Sequence, residues 1–312
     1  MSERRDVTVR SDEVTLAGSV WLPDGEAAAT VLMHPGSGPS DRDNDGYFLP
    51  IREHLLRAGY ATCSFDKRGV GGSSGRWQDA GIVEQADDLL ACLQVVSADP
   101  HVPKPIGLFG HSQGGWVVVE AAGRRPDIAF VIANSGPGVT PAEQERYAHR
   151  TYLSAGGVSA AELPEALEPY DELMAALRLR RPFAAVRPKL SPDRLPDVYR
   201  RRELIVFPDS EDFWDFLGRV GDYEPREALR RIEVPVLALF GARDRFVPVD
   251  ESVAAYREAV AAELLTVAVF RDADHRMLAG DPPEFADGYV EAITAFLART
   301  LAGVQQPAED AR

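Results

Sequence analysis

The chain is short of cysteine, with only Cys63 and Cys92 among its 312 residues. Cys63 falls in an apolar strand-like run and Cys92 in a helical pattern, and neither has metal-ligand spacing. A structural disulfide is therefore not expected, and a cytoplasmic location fits best. Long hydrophobic runs are missing too: no stretch approaches the uninterrupted apolar length of a membrane span. The opening "MSERRDVTVRSDEV" has two arginines but no apolar segment after them, so it is not read as a secretory signal. Basic residues are outnumbered, with 34 Lys and Arg against 49 Asp and Glu, a net charge of −15. That balance argues against general affinity for nucleic acid or anionic membrane and favours solubility. No internal repeat is visible. No G-x-G-x-x-G or Walker spacing follows the glycines, so phosphate binding is disfavoured and neither metal nor organic cofactor is expected.

What the chain does have is a 45% hydrophobic content, enough to fill a sizeable core. "VTVRSDEVTLAGSVWLP" alternates and predicts an opening β-hairpin. After it, strand-like runs ("ATVLMH", "ATCSFD", "PIGLFG", "IAFVIANSG") alternate with helical patterns ("FLPIREHLLRAGY", "IVEQADDLLACLQVV", "GGWVVVEAAGRR"). Such alternation implies βαβ units: an α/β fold with a mostly parallel central sheet and helices on both faces. The pattern breaks from about Pro137 to Ile232, where "AELPEALEPYDELMAALRLRR" and "SEDFWDFLGRV" look helical with no strong strand between them. It resumes with "PVLALFG", "VDESVAAYREAVAAE", "LLTVAVF" and a last helix over "PPEFADGYVEAITAFLARTLAG". The organisation expected is an α/β core over 1–136 and 233–302, a helical lid over 137–232 and a flexible tail over 303–312.

Gly110-His111-Ser112-Gln113-Gly114 fits G-x-S-x-G between a predicted strand and a predicted helix, the setting a nucleophile elbow requires. A serine hydroxyl is a poor nucleophile unless a base, oriented by an acid, takes its proton. In this architecture the partners follow in the order acid, then histidine, each after a late strand. "VLALFGARDRF" puts Asp244 just past one such strand, and "TVAVFRDADHRM" puts His275 in the loop after the last. Ser112, Asp244 and His275 thus form the candidate triad. The other histidines compete poorly: His54 lies on an early helix, His101 before the elbow strand, His149 in the insertion, and His111, beside the serine, points elsewhere. Asp272 and Asp274 are expected to shape the His275 loop. Arg243 and Arg245 offer the alternative that Asp244 is an ion-pair residue.

With these residues in order, the chain resembles the α/β-hydrolase superfamily along almost its whole length. Within it the chain looks most like serine esterase and dipeptidyl-peptidase-like hydrolases with a "GSGPxDRD" loop, here Gly36-Ser37-Gly38-Pro39-Ser40-Asp41-Arg42-Asp43. "FDKRGVGGSSG" resembles the turn at a strand end in that family. The resemblance implies that the first loop supplies half of an oxyanion hole, with the Gln113 N–H supplying the other half. Ser37 is the donor chosen, Gly36 and Gly38 staying open because His34-Pro35-Gly36 stands where many relatives carry His-Gly. Asp41, Arg42 and Asp43 are read as local ion pairs, and Asp66 and Arg68 as structural.

The insertion occupies the place of a lid. Phe213, Trp214, Phe216 and Leu217 are candidates to line a substrate pocket, or else to pack the lid onto the core. The basic stretch from Arg178 to Arg202 reads as a solvated helical face, or as an attractor for an anionic group. The expected activity is hydrolysis of a carboxylic ester or thioester on a small acyl substrate through an acyl-enzyme. Acyl transfer, peptide cleavage and a non-enzymatic binding role are the alternatives, and homo-oligomerisation stays open.

Overall fold

In β3 (Thr30–His34), Val31 and Met33 pack into one buried cluster while Leu32 packs into another. The division recurs at Leu108 and Phe109 of β5 (Ile106–His111), and in β7 (Val236–Gly241), where Leu237 and Leu239 oppose Val236, Ala238 and Phe240. Successive strand residues point to opposite faces, so a strand buried on both reads as a continuous apolar run. One face is covered by α2 (Ile82–Ala98) and α3 (Gln113–Ala122), the other by α1 (Phe48–Arg57) and the final helix, Tyr289–Ala302. Leu32 and Leu108 are fully buried, and truncating either to alanine is expected to cost about 2–5 kcal/mol.

The computed structural model describes residues 3–189 and 207–302. The expected tail and much of the basic stretch ending at Arg202 lie outside them. The main sheet has eight strands in the order β1-β2-β4-β3-β5-β6-β7-β8, where β1 is Glu3–Ser11, β2 Val14–Leu22, β4 Ala61–Phe65, β6 Val131–Asn134 and β8 Leu265–Phe270. The β1–β2 and β2–β4 pairs are antiparallel, and every pair from β4 to β8 is parallel. This is the α/β-hydrolase fold. Because the parallel strands end on one side, the loops after β3, β5, β7 and β8 meet there.

Between β6 and β7 run α4 (Pro141–Ala155), α5 (Leu163–Arg178), α6 (Phe183–Val186), α7 (Glu211–Gly221) and α8 (Pro225–Arg230). The sequence reading has no helix at α4. Its signal is the start, not the apolar periodicity: Thr140 and Glu143 form a reciprocal capping box with Pro141 in the first turn. The insertion holds apolar clusters of its own, one around Tyr152 and Leu153, another around Tyr170, Met174 and Trp214. Its last two helices also reach the core: Phe216 and Val220 of α7 and Ala228 and Leu229 of α8 are buried in the same cluster as α3 and the sheet.

The final helix also differs from expectation. It begins at Tyr289, not at the prolines, because Glu284–Phe285 (β10) pairs with Leu278–Ala279 (β9) as a small antiparallel ribbon. Gly288, at φ +80°, turns the chain from that ribbon into the helix.

Candidate active site

The elbow brings strand β5 into helix α3 with almost no separation. A Cβ on Gly110 would run into the Gly114 carbonyl, and one on Gly114 would lie 2.5 Å from the His34 carbonyl oxygen. Only glycine fits such contacts. Ser112, between them, is held at φ 54° and ψ −120°, a conformation that costs a non-glycine residue about 1–3 kcal/mol. Its N–H donates to the Asn134 carbonyl at 2.9 Å, and its carbonyl accepts from Gly115 at 2.8 Å. The strained residue is thus clamped at the head of α3, where the N-terminal N–H groups are free of intrahelical partners.

Asp244 follows β7. Its side chain is 0% exposed. One carboxylate oxygen accepts the N–H groups of Phe246 and Val247 at 2.7 and 3.0 Å; the other faces His275 Nδ1 at 2.7 Å. A carboxylate only accepts, so Nδ1 carries the proton and Nε2 is left as the basic nitrogen. Tyr147 of α4 donates to the Asp244 carbonyl at 3.1 Å, tying the insertion to the loop. Among the described residues no hydrogen bond joins Ser112 Oγ to His275; such bonds often tighten only when substrate binds.

The His275 loop is held from several sides. Asp274 accepts the N–H groups of Arg276 and Leu278 at 2.8 and 2.9 Å, while Asp272 pairs with Arg243 at 2.6 Å. The His275 carbonyl accepts from Ser135 Oγ at 2.8 Å and from His111 Nε2 at 3.4 Å. His111, set aside in the sequence reading, therefore holds the His275 loop: its ring lies 5.1 Å from that of His275. Burial, helped by the nearby His275 and Arg276, pushes the His111 imidazole well below its ordinary range, so it is neutral.

The loop after β3 approaches the elbow from the other side, with a position off Gly36 only 3.6 Å from Ser112 Cβ. The Gly36 N–H is already engaged by Asn44 Oδ1 at 3.2 Å. That leaves Ser37 and Gly38 as the loop's candidate oxyanion donors. The partner of Arg42 is not local, as had been expected. It forms a two-pronged pair with Asp66, at 3.0 and 2.7 Å, across 24 residues. Asp43 instead pairs with Arg52 at 2.7 Å, and Arg68 pairs with Asp88 at 2.6 Å.

A cavity of about 380 Å³ lies between the loops and the inserted helices. Ser37, Gly38 and Gln113 form its floor; Ser112 and His275 are not lining residues, but Phe246, whose ring lies 5.0 Å from His275, is. Phe213 and Phe216 line it with Trp77, the Trp77 and Phe216 rings 4.8 Å apart. Trp214 does not. Its indole N–H donates to the Arg181 carbonyl at 3.1 Å and its ring packs near Phe183 inside the insertion. Sequence reasoning missed Trp77 and Glu145. Glu145 lines the cavity with no hydrogen-bond or ion-pair partner among the described residues, and the protein around it pushes its carboxyl up to about 7. Among the described residues no cluster of His, Cys, Asp and Glu could hold a metal ion, and no helix is long and apolar enough to cross a membrane.

Comparison with known proteins agrees with this architecture. The chain is 25% identical over 286 residues to esterase EstD of Thermotoga maritima, covering 89% of this chain and 61% of that protein, so it spans about three-fifths of that relative's length. It is 26% identical over 251 residues to a bifunctional esterase/perhydrolase, DCH, of Acinetobacter calcoaceticus, covering 77% and 83%. Among solved structures, the Pyrococcus furiosus esterase Pf2001 superposes with a TM-score of 0.63 at 22% identity, covering 96% of this chain and 91% of the other. The model of the family described as "Serine aminopeptidase, S33" matches residues 27–283, a span holding Ser112, Asp244, His275 and the whole insertion, and the chain belongs to that family.

Proposed function

We propose that the protein hydrolyses carboxylic esters, or thioesters, of small acyl substrates with Ser112 as nucleophile, His275 as general base and acid, and Asp244 as the group that orients the imidazole. The observation that carries this reading is the 2.7 Å contact from a wholly buried Asp244 carboxylate to His275 Nδ1, in a loop packed beside the elbow. In the reaction, Ser112 Oγ attacks the carbonyl carbon while its proton passes to His275 Nε2. The negative charge on the former carbonyl oxygen is met by the Gln113 and Ser37 N–H groups. The intermediate collapses, the alcohol leaves with the proton from His275, and an acyl-serine remains. Water then attacks that ester with His275 again as base, releasing the acid and restoring Ser112. The inserted helices α4–α7 act as a lid, and the wall of Trp77, Phe213 and Phe216 receives the acyl group.

The test is labelling with a fluorophosphonate together with hydrolysis of p-nitrophenyl esters. Ser112→Ala should abolish labelling and lower kcat by several orders of magnitude with an unchanged melting temperature. Retained labelling and turnover would sink the reading. Glu145 favours a second one. A carboxylate on the cavity wall with no hydrogen-bond or ion-pair partner among the described residues suits a substrate bearing an amine, so aminoacyl p-nitroanilides belong in the same panel. Added alcohols or amines distinguish hydrolysis from acyl transfer by the products formed.

A further inference from the structure

Lys67 follows β4 in the turn behind the elbow and is 8% exposed. Its ammonium donates to the Gly36 carbonyl and, at 3.0 Å, to Gln113 Oε1. Among the described residues no carboxylate is within ion-pairing distance of it. The acids around it are already engaged: Asp66, its neighbour in the turn, by Arg42, and Asp88 of α2 by Arg68. The remaining neighbours are Gln85, which donates to the same Gln113 oxygen at 3.3 Å, and His34 on β3, whose ring burial and the Lys67 charge push down to about 3. A buried ammonium without a counter-ion is costly, and burial pushes Lys67 down to about 7. Its two acceptors offset part of that cost. The Gly36 carbonyl belongs to the same peptide unit as the Ser37 N–H, and in a planar trans peptide the two point in opposite directions. Fixing one aims the other. The second acceptor is the side chain of the residue whose N–H opens α3.

We infer that Lys67 is a positioning residue of the oxyanion hole, which from behind orients and polarises the Gly36–Ser37 peptide and pins Gln113, so that both N–H groups face the charge developing on the substrate. A cation on the carbonyl side of a peptide strengthens its N–H as a donor in a low-dielectric site. This inference rests on the ester-hydrolase reading above. It concerns the transition state, not substrate binding.

Lys67→Met keeps the length and apolar body of the side chain and removes the charge. It should lower kcat about 10²-fold with KM within twofold of wild type. The affinity for an alkylboronic acid, a mimic of the tetrahedral adduct, should fall by the same factor as kcat/KM. The melting temperature should change little, since relief of a buried charge offsets the loss of the donor to the Gly36 carbonyl. Lys67→Gln, which retains a donor for Gly36 without the charge, should also lose kcat at constant KM, and it supplies the reading if Lys67→Met does not fold. A wild-type kcat in the variant that folds, or a rise in KM with kcat unchanged, overturns the inference. Ser112→Ala run in parallel separates the failures: if it stays active, the site reading itself is wrong; if it is inert while the Lys67 variants keep wild-type kcat, only the role of Lys67 is lost.

Discussion

Asn44 joins the loop after β3 to the His275 loop through His111. The Gly36 N–H can only donate, so the Asn44 oxygen faces it at 3.2 Å and the amide nitrogen faces His111 Nδ1 at 2.9 Å. Nδ1 is then the acceptor, and the proton of His111 sits on Nε2, directed at the His275 carbonyl 3.4 Å away. A chain of directional bonds sets both tautomer and spacing across the site.

Asn44→Ala breaks this chain at its centre. It leaves a buried N–H and a buried ring nitrogen without partners, each costing about 1–3 kcal/mol. A lowered urea midpoint with a reduced kcat is the expected result. A variant as stable and as active as wild type would show that the chain positions nothing.

Asp244→Asn tests the tautomer directly. An amide can turn its N–H toward Nδ1, which strips that nitrogen of its proton and places the proton on Nε2, where a base is needed. The loss in kcat should be about 10⁴-fold, with the melting temperature little changed because the backbone bonds from Phe246 and Val247 can still reach the side-chain oxygen. A loss under tenfold would assign the orienting role elsewhere.

Stability should fall in acid. His34 is pushed down to about 3, His149 to about 4, and His111 well below its ordinary value, each chiefly by burial. In the unfolded chain all three protonate near about 6.5. As the pH drops through that value, the unfolded state takes up protons that the native state refuses, and stability is lost until the folded values are reached. Glu145 works the other way, since its carboxyl is raised to about 7, but His54, lowered by burial, and Lys67, pushed down to about 7, act in the same direction as the three histidines. Urea midpoints at pH 7.5 and 5 should show the native state weaker at pH 5, and His149→Gln should flatten the difference. Equal midpoints would mean that the histidines are not buried neutral.

The elbow and the order of its partners are legible in the sequence because each rests on a local rule: glycines where a Cβ cannot fit, and a carboxylate and a histidine just past strand ends. Lys67 and Asn44 carry no such mark. Their roles depend on which carbonyl or ring nitrogen the folded loops bring near, and nothing in "DKRG" or "DRDND" announces that. The insertion is harder still. Its helices bury apolar side chains on two surfaces, one toward the core and one among themselves, so periodicity identifies a helix such as α7 without saying which aromatic faces the cavity.

That ambiguity can be resolved on α7 itself. Trp214 and Phe216 are two residues apart, a spacing that puts side chains on different faces of a helix. Trp214 is anchored inside the insertion by its bond to Arg181, whereas Phe216 stacks with Phe213 and meets Trp77 at the cavity wall. Trp214→Ala should therefore lower the melting temperature, with a loss of about 3–5 kcal/mol, and leave the order of preference among acyl groups intact. Phe213→Ala removes less packing and more cavity wall, so it should reorder kcat/KM across p-nitrophenyl acetate, octanoate and benzoate, by roughly tenfold between best and worst affected. Phe216→Ala should do both, since its ring also touches the core. The comparison is internal to one helix, which cancels general effects of disturbing the insertion. If Trp214→Ala reorders the substrates while Phe213→Ala scales them all by one factor, the cavity described here is not where the acyl group binds.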